Sequence, residues 1–220
     1  MAAWTGGVIG HERLRADFPH VEPVDLRMPP VAPGMRVGLF GGSFDPPHAG
    51  HVLVAETALR AFGLHALWWI VTPGNPLKDT SGLAPLAERI DASRALIDDP
   101  RVRVTAFEAG HRVRYTADML RLVLDRHRDV RFAWVMGADN LSGFHRWQEW
   151  EWIARNVPIG VVDRPGSTLR TVASRFAIRF ARDRLDETDA RVLPTRAPPA
   201  WVFLHGPRSG LSSTALRAAR

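Results

Sequence analysis

The chain has no cysteine. That excludes disulfide bonds, thiolate nucleophiles and cysteine-held metals, and it suits a reducing compartment. Lysine is almost absent as well: Lys78 stands alone against 28 arginines. Those arginines are scattered without a long basic block, so the formal net charge of +6 is not the footprint of a nucleic-acid surface. No apolar run approaches the ~20 residues that span a bilayer. The first 33 residues contain His11, Glu12, Asp17 and Glu22 and lack a continuous apolar core, which argues against a signal peptide. The expectation is a cytoplasmic chain with no nucleic-acid and no membrane partner. Homo-oligomerisation is left open.

What is present is an alternation. A hydrophobic content of 45% over 220 residues is enough for one sizeable core. Strand-like runs fall at Arg36–Phe40, Ala66–Thr72, Val102–Phe107, Val130–Met136, Pro158–Asp163 and Ala200–Leu204. Helical runs fall at Ala49–Phe62, Pro85–Ile97, Thr116–His127, Ala138–Ser142, Arg146–Arg155, Leu169–Ala181 and Ser213–Ala219. The strand runs are apolar almost throughout, as strands covered on both faces are. The alternation predicts one α/β domain over residues 36–220, a Rossmann-like, doubly wound parallel sheet with helices on both faces. Residues 1–35, with Pro23, Pro29, Pro30 and Pro33, read as an extension, partly disordered or loosely packed. The stretch Asp183–Pro199 reads as a surface loop.

One segment organises the rest: Gly41-Gly42-Ser43-Phe44-Asp45-Pro46-Pro47-His48-Ala49-Gly50-His51. It runs from the end of a strand, through a turn, into the start of a helix, where open α/β sheets bind ligands. Gly41 and Gly42 lack a Cβ, so backbone amides can approach an anion. The first amides of the helix have no partner within it, and the helix dipole adds positive potential there. His48 and His51 lie three residues apart, on one helical face, and an imidazole can donate to a phosphate oxygen. A zinc site is disfavoured, because no third ligand stands nearby, and no metal-ligating residue is assigned.

Three further segments fall at the same predicted edge or at the tail. Pro73-Gly74-Asn75-Pro76-Leu77-Lys78 follows the second strand, where a lysine can bring a point charge to a phosphate. Gly137-Ala138-Asp139 follows the fourth strand, and Asp139 suits a ribose hydroxyl or the cap of a short helix. Ser213 and Thr214 open the last helical run, a second phosphate-binding helix start, and Arg217 lies on the same face as Thr214.

The segment GGSFDPPHAGH resembles the nucleotide-binding motif of the HxGH nucleotidyltransferases, and most of all that of the nicotinate-nucleotide adenylyltransferases. Similar runs elsewhere are Tyr115-Thr116-Ala117-Asp118 (family Y-T-x-D-T-L, with Met119 here for the second Thr), Gly137 to Trp147 (G-x-D-x-L-x-x-F-x-x-W) and Leu211 to Arg217 (I-S-S-T-x-x-R, with Leu211 for Ile). The resemblance implies adenylyl transfer from ATP to nicotinate mononucleotide, a step of NAD biosynthesis, with Mg²⁺ accompanying ATP. It implies catalytic roles for His48, His51, Lys78 and Arg217. Gly41, Gly42, Ser43, Phe44, Gly137, Asp139, Ser213 and Thr214 join His48, His51 and Arg217 on ATP. Ser43, Lys78, Thr116 and Trp147 fall to the mononucleotide, with Trp147 stacking on the nicotinate ring. The alternatives are an adenylyltransferase for nicotinamide mononucleotide or pantetheine phosphate, and a nucleotide-binding module without catalysis. An RNA-binding relative is a third, although class I synthetases pair their HxGH with a lysine-rich loop that a one-lysine chain lacks.

Overall fold

The first apolar run becomes β1 (Arg36–Gly42), two residues longer than its sequence pattern because Gly41 and Gly42 still pair with Ile70 and Val71. The computed structural model describes residue 18 and residues 20–74, 82–163 and 173–205. Within them β1 pairs with β2 (Ala66–Val71) on one side and β4 (Arg131–Gly137) on the other. The edges are built by β3 (Val102–Thr105) and by β5 (Ile159–Val162) with β6 (Trp201–Leu204). All pairings are parallel, in the order β3-β2-β1-β4-β5-β6. Every residue of β2 is buried, as a strand covered on both faces requires.

Two hydrophobic layers sandwich the sheet. On one face Leu39, Trp68, Trp134 and Trp201 meet α4 (Thr116–Arg126), α6 (Trp150–Asn156) and α7 (Arg175–Arg179). On the other, Phe40, Trp69, Val135 and Val202 meet α1 (Ala49–Ala61) and α2 (Leu86–Leu96). The expected doubly wound α/β fold is therefore present. Chain order reverses between β1 and β4, so a crevice opens beyond their carboxyl ends, the place such sheets use for ligands.

Several local expectations need correction. The third strand ends at Thr105 rather than Phe107. The Thr105 hydroxyl accepts from Phe107 N at 3.2 Å, turning the chain into the short α3 (Phe107–Gly110). The run from Arg146 to Arg155 is not one helix. A 3₁₀ turn covers Phe144–Arg146, Glu149 takes φ 52°, and only then does α6 begin. The helix expected from Leu169 is the short α7, residues 169–172 lying outside the described residues. The predicted surface loop Asp183–Pro199 contains a 3₁₀ run, Glu187–Thr195, that buries Ala190, Leu193 and Pro194. Leu193 packs with Phe62 over Gly160, where a Cβ would meet the Phe62 ring at 2.3 Å.

Residues 20–35 are tied down. Val21 and Leu26 are buried, Ala106 N donates to Asp25 O at 2.7 Å, and the Thr105 hydroxyl donates to Arg27 O at 2.9 Å. Gly110 permits the approach, since a Cβ there would stand 2.1 Å from Leu26 O.

Candidate active site

The β1 turn delivers both histidines to the start of α1. His48 is the N-cap, extended at φ −153°, and its Nδ1 accepts from Gly50 N at 3.1 Å. His51 reaches back, and its Nδ1 accepts from His48 N at 3.2 Å. This is a reciprocal capping box in which histidine plays both parts, in place of the usual Ser/Thr and Glu/Gln. It also sets the tautomer. A nitrogen that accepts an N–H carries no proton, so each ring holds its proton on Nε2. Two neutral imidazoles with centroids 3.8 Å apart thus carry Nε2–H groups, that of His48 buried, at the head of a 13-residue helix with no acidic residue in its first turn. Such a donor set suits anionic oxygen, not a metal ion, which needs a bare nitrogen.

Ring packing fixes the turn from below. Phe44 has φ 46°, a conformation that costs a non-glycine residue roughly 1–3 kcal/mol. Its ring is 2% exposed, stacked on Trp69 at 4.3 Å and edge-on to Phe40 at 5.4 Å and to His51 at 5.0 Å. Its side chain holds His51 from within, and its backbone lies in the turn. Gly41 has a similar second role: a Cβ there would stand 2.8 Å from Cη2 of Trp134.

Across the crevice, Gly137 caps α5 (Ala138–Leu141), and Asp139 lies in its first turn, its carbonyl accepting from the Ser142 hydroxyl at 3.1 Å. Trp147 is half-buried, edge-on to Phe144 at 5.2 Å and to Trp134 at 6.1 Å. Thr116 is the first residue of α4, whose N-cap is Tyr115. Asp118 pairs with Arg121 at 3.1 Å, which accounts for it without a ligand. Ser43, Gly42, His48 and His51 therefore gather at the β1 exit, Gly137 and Asp139 at the neighbouring β4 exit, and Trp147 behind them. Lys78, Ser213, Thr214 and Arg217 lie outside the described residues.

Sequence reasoning missed four supports: Trp69, Trp134, Arg89 and Glu108. Arg89 left a readable signal. It shares the buried face of α2 with Leu86, Ile90 and Ser93, an arginine in phase with the apolar residues. Glu108 on α3 is buried. Burial raises its carboxyl to about 7 against a smaller opposing effect of its hydrogen bond with Thr72. Thr72 stands just past β2, where its hydroxyl accepts from Gly74 N at 3.3 Å.

The Cytidylyltransferase-like family model matches residues 39–219. A Brucella abortus protein named "Probable nicotinate-nucleotide adenylyltransferase" is 62% identical over 183 residues, 83% of this chain and 94% of its own. A Rhizobium meliloti protein of the same name is 62% identical over 186 residues, 84% of this chain and 99% of its own. Among solved structures, the nicotinic acid mononucleotide adenylyltransferase of Plasmodium falciparum complexed with NaAD superposes with a TM-score of 0.63 at 17% identity. It covers 84% of this chain and 83% of its own, a likeness of fold. With the β1 turn, the parallel sheet and these relatives together, the chain belongs to the nicotinate-nucleotide adenylyltransferases of the cytidylyltransferase-like family.

Proposed function

We propose that this enzyme transfers the adenylyl group of ATP to nicotinate mononucleotide, giving nicotinate adenine dinucleotide and pyrophosphate, a step of NAD biosynthesis. An oxygen of the mononucleotide 5′-phosphate attacks the α-phosphorus of ATP. The new P–O bond forms as the bond to pyrophosphate breaks, and that electron pair leaves on pyrophosphate. The nucleophile comes from the substrate, so the protein must align two anions and stabilise charge as it builds. The reciprocal histidine cap is the observation that carries this reading. It fixes two N–H donors at a helix start beside a glycine turn, which is what a polyphosphate requires.

In this reading His48 and His51 donate through Nε2 to the ATP phosphates, the α-phosphate included. Backbone amides of Gly41, Gly42, Ser43 and Phe44 line the same anion. Ser213, Thr214 and Arg217 hold the triphosphate from the tail of the sequence, and Lys78 holds phosphate from the segment that follows β2 in sequence. Gly137 and Asp139 take the adenosine side. Ser43, Thr116 and Trp147 take the mononucleotide, the indole stacking on the pyridine ring. Mg²⁺ accompanying ATP would be held by phosphate oxygens and water and would offset triphosphate charge there. Among the described residues no group of three or more His, Asp or Glu is placed to hold a metal, so no protein ligand is assigned to it. We assign the enzyme to the cytoplasm on its cysteine-free composition.

Pyrophosphate release from ATP, with nicotinate mononucleotide, nicotinamide mononucleotide and pantetheine phosphate offered in turn, tests the assignment. The expected result is fastest turnover with nicotinate mononucleotide and one dinucleotide per pyrophosphate. ATP binding without turnover on any acceptor contradicts it, as does preference for another acceptor.

A further inference from the structure

Arg89 lies on α2, on neither the β1 turn nor the β2 exit, yet it is bonded to both. It is 3% exposed. Its Nη1 donates to Ser43 O at 2.7 Å and to Thr72 O at 2.8 Å. Its Nη2 donates to Pro73 O at 3.5 Å, and its Nε donates to Ala84 O at 2.9 Å. Four carbonyls from three separate stretches of chain converge on one planar group. A guanidinium has five N–H donors in a rigid fork and can serve them together, whereas an ammonium has three donors on a flexible stem. Each of these four bonds goes to a backbone carbonyl. Asp45 opposes the effect of burial, which lowers the guanidinium's affinity for its proton.

The two stretches it joins are the ones that carry phosphate ligands in the proposed mechanism. Ser43 sits five residues before the His48 cap. Thr72 and Pro73 open the sequence segment that ends in Lys78. A second bond joins them at the sheet edge: Thr72 N donates to Gly42 O at 3.0 Å. Beyond that point the parallel ladder stops, and the Arg89 fork continues the connection past the last strand residue. We propose that Arg89 is a positioning residue for adenylyl transfer: it sets the separation between the β1 turn, which binds the ATP phosphates, and the β2 exit, which leads to the acceptor's phosphate. This rests on the proposed function. Misplacement of about 1 Å between reacting groups can cost 10²-fold in rate.

The test compares full-length wild type with Arg89→Lys, Arg89→Gln and Arg89→Met. Turnover per ATP-binding site, KM for each substrate and ATP affinity by equilibrium dialysis are measured well below every variant's Tm. Arg89→Met is expected to lose at least tenfold in turnover per binding site and to raise both KM values. Arg89→Lys should fall between it and wild type, because it keeps the charge and loses the fork. If Arg89→Met does not fold, Arg89→Lys and Arg89→Gln decide. A residue that merely supports the fold would lower Tm while turnover per site and both KM values stay within twofold of wild type, and that result overturns the proposal. A wild-type chain that binds ATP without releasing pyrophosphate contradicts the proposed function instead. Arg89 is then judged on ATP affinity: weaker binding in Arg89→Lys supports its role, and an unchanged Kd overturns it.

Discussion

The β1 turn and the Trp147 segment flank one crevice and are held by different forces. Above its bed of packed rings the turn is fixed by directional bonds: two imidazole caps, the Arg89 fork and the Thr72 bond to Gly42. The Trp147 segment is fixed by rings packed edge to face on Phe144 and Trp134. Hydrogen bonds fail when one atom is lost, because a buried partner is left unsatisfied. Ring packing loses energy in proportion to area and shape. The difference teaches that the phosphate side should be intolerant of single changes and the pyridine side graded.

The hardest break is His51→Ala. It removes a donor aimed at the phosphates and one arm of the capping box. We expect kcat to fall ~10²–10³-fold, with the loss of the cap costing about 1 kcal/mol of stability. Steady-state kinetics beside thermal unfolding separate the two. Near-normal kcat would remove His51 from the mechanism.

Glu108 extends the directional side beneath the β2 exit, and pH can probe it. Its folded-state value of about 7 lies above the ordinary 4.5. The native state therefore holds this proton more tightly than the unfolded chain. Its contribution to stability is fully present below about 4.5, declines as pH rises towards about 7, and is lost above that. The loss is on the order of 3 kcal/mol at most. Glu108→Gln should flatten this part of the pH dependence. Urea unfolding at acidic, neutral and mildly alkaline pH checks it, and identical curves for variant and wild type would refute the assignment.

Gly41→Ala tests the place where the two sides touch. The new methyl meets the Trp134 ring, and overpacking of this kind costs ~1–3 kcal/mol. A Tm unchanged within error would show that the indole yields without cost.

The smallest effect belongs to the packed side. Trp147→Ala should raise KM for nicotinate mononucleotide about tenfold, from the roughly 0.5–1.5 kcal/mol of an aromatic pair together with lost contact area. Trp147→Phe should do less, and ATP affinity should hardly move. Equal weakening for ATP would erase the distinction between the two sides.

Legibility in the sequence follows the same division. The sheet was readable because each strand is a short apolar run, and periodicity reports burial on both faces directly. The β1 turn was readable because Gly-Gly and two histidines three apart carry chemistry in residue type and spacing. Its supports were harder. Phe44 and Trp69 are ordinary aromatics until the fold stacks them 25 residues apart in sequence. Ser43 and Arg89 are 46 residues apart, and nothing local marks them as partners beyond a charge on a helix's apolar face. The 3₁₀ run at Glu187–Thr195 read as loop because Pro194 and the polar residues around it mask the i, i+3, i+4 spacing of its buried residues, Ala190, Leu193 and Pro194. In residues 20–35 the backbone bonds to Thr105 and Ala106 are likewise something that composition does not register.

The most direct test is a crystal structure of the full-length chain with a non-hydrolysable ATP analogue and nicotinate mononucleotide. The account predicts Nε2 of both His48 and His51 within about 3.2 Å of phosphate oxygens, and the Arg217 guanidinium on the same triphosphate. Phosphates bound away from the β1 turn, or a histidine Nδ1 turned from its backbone N–H towards the ligand, would contradict it.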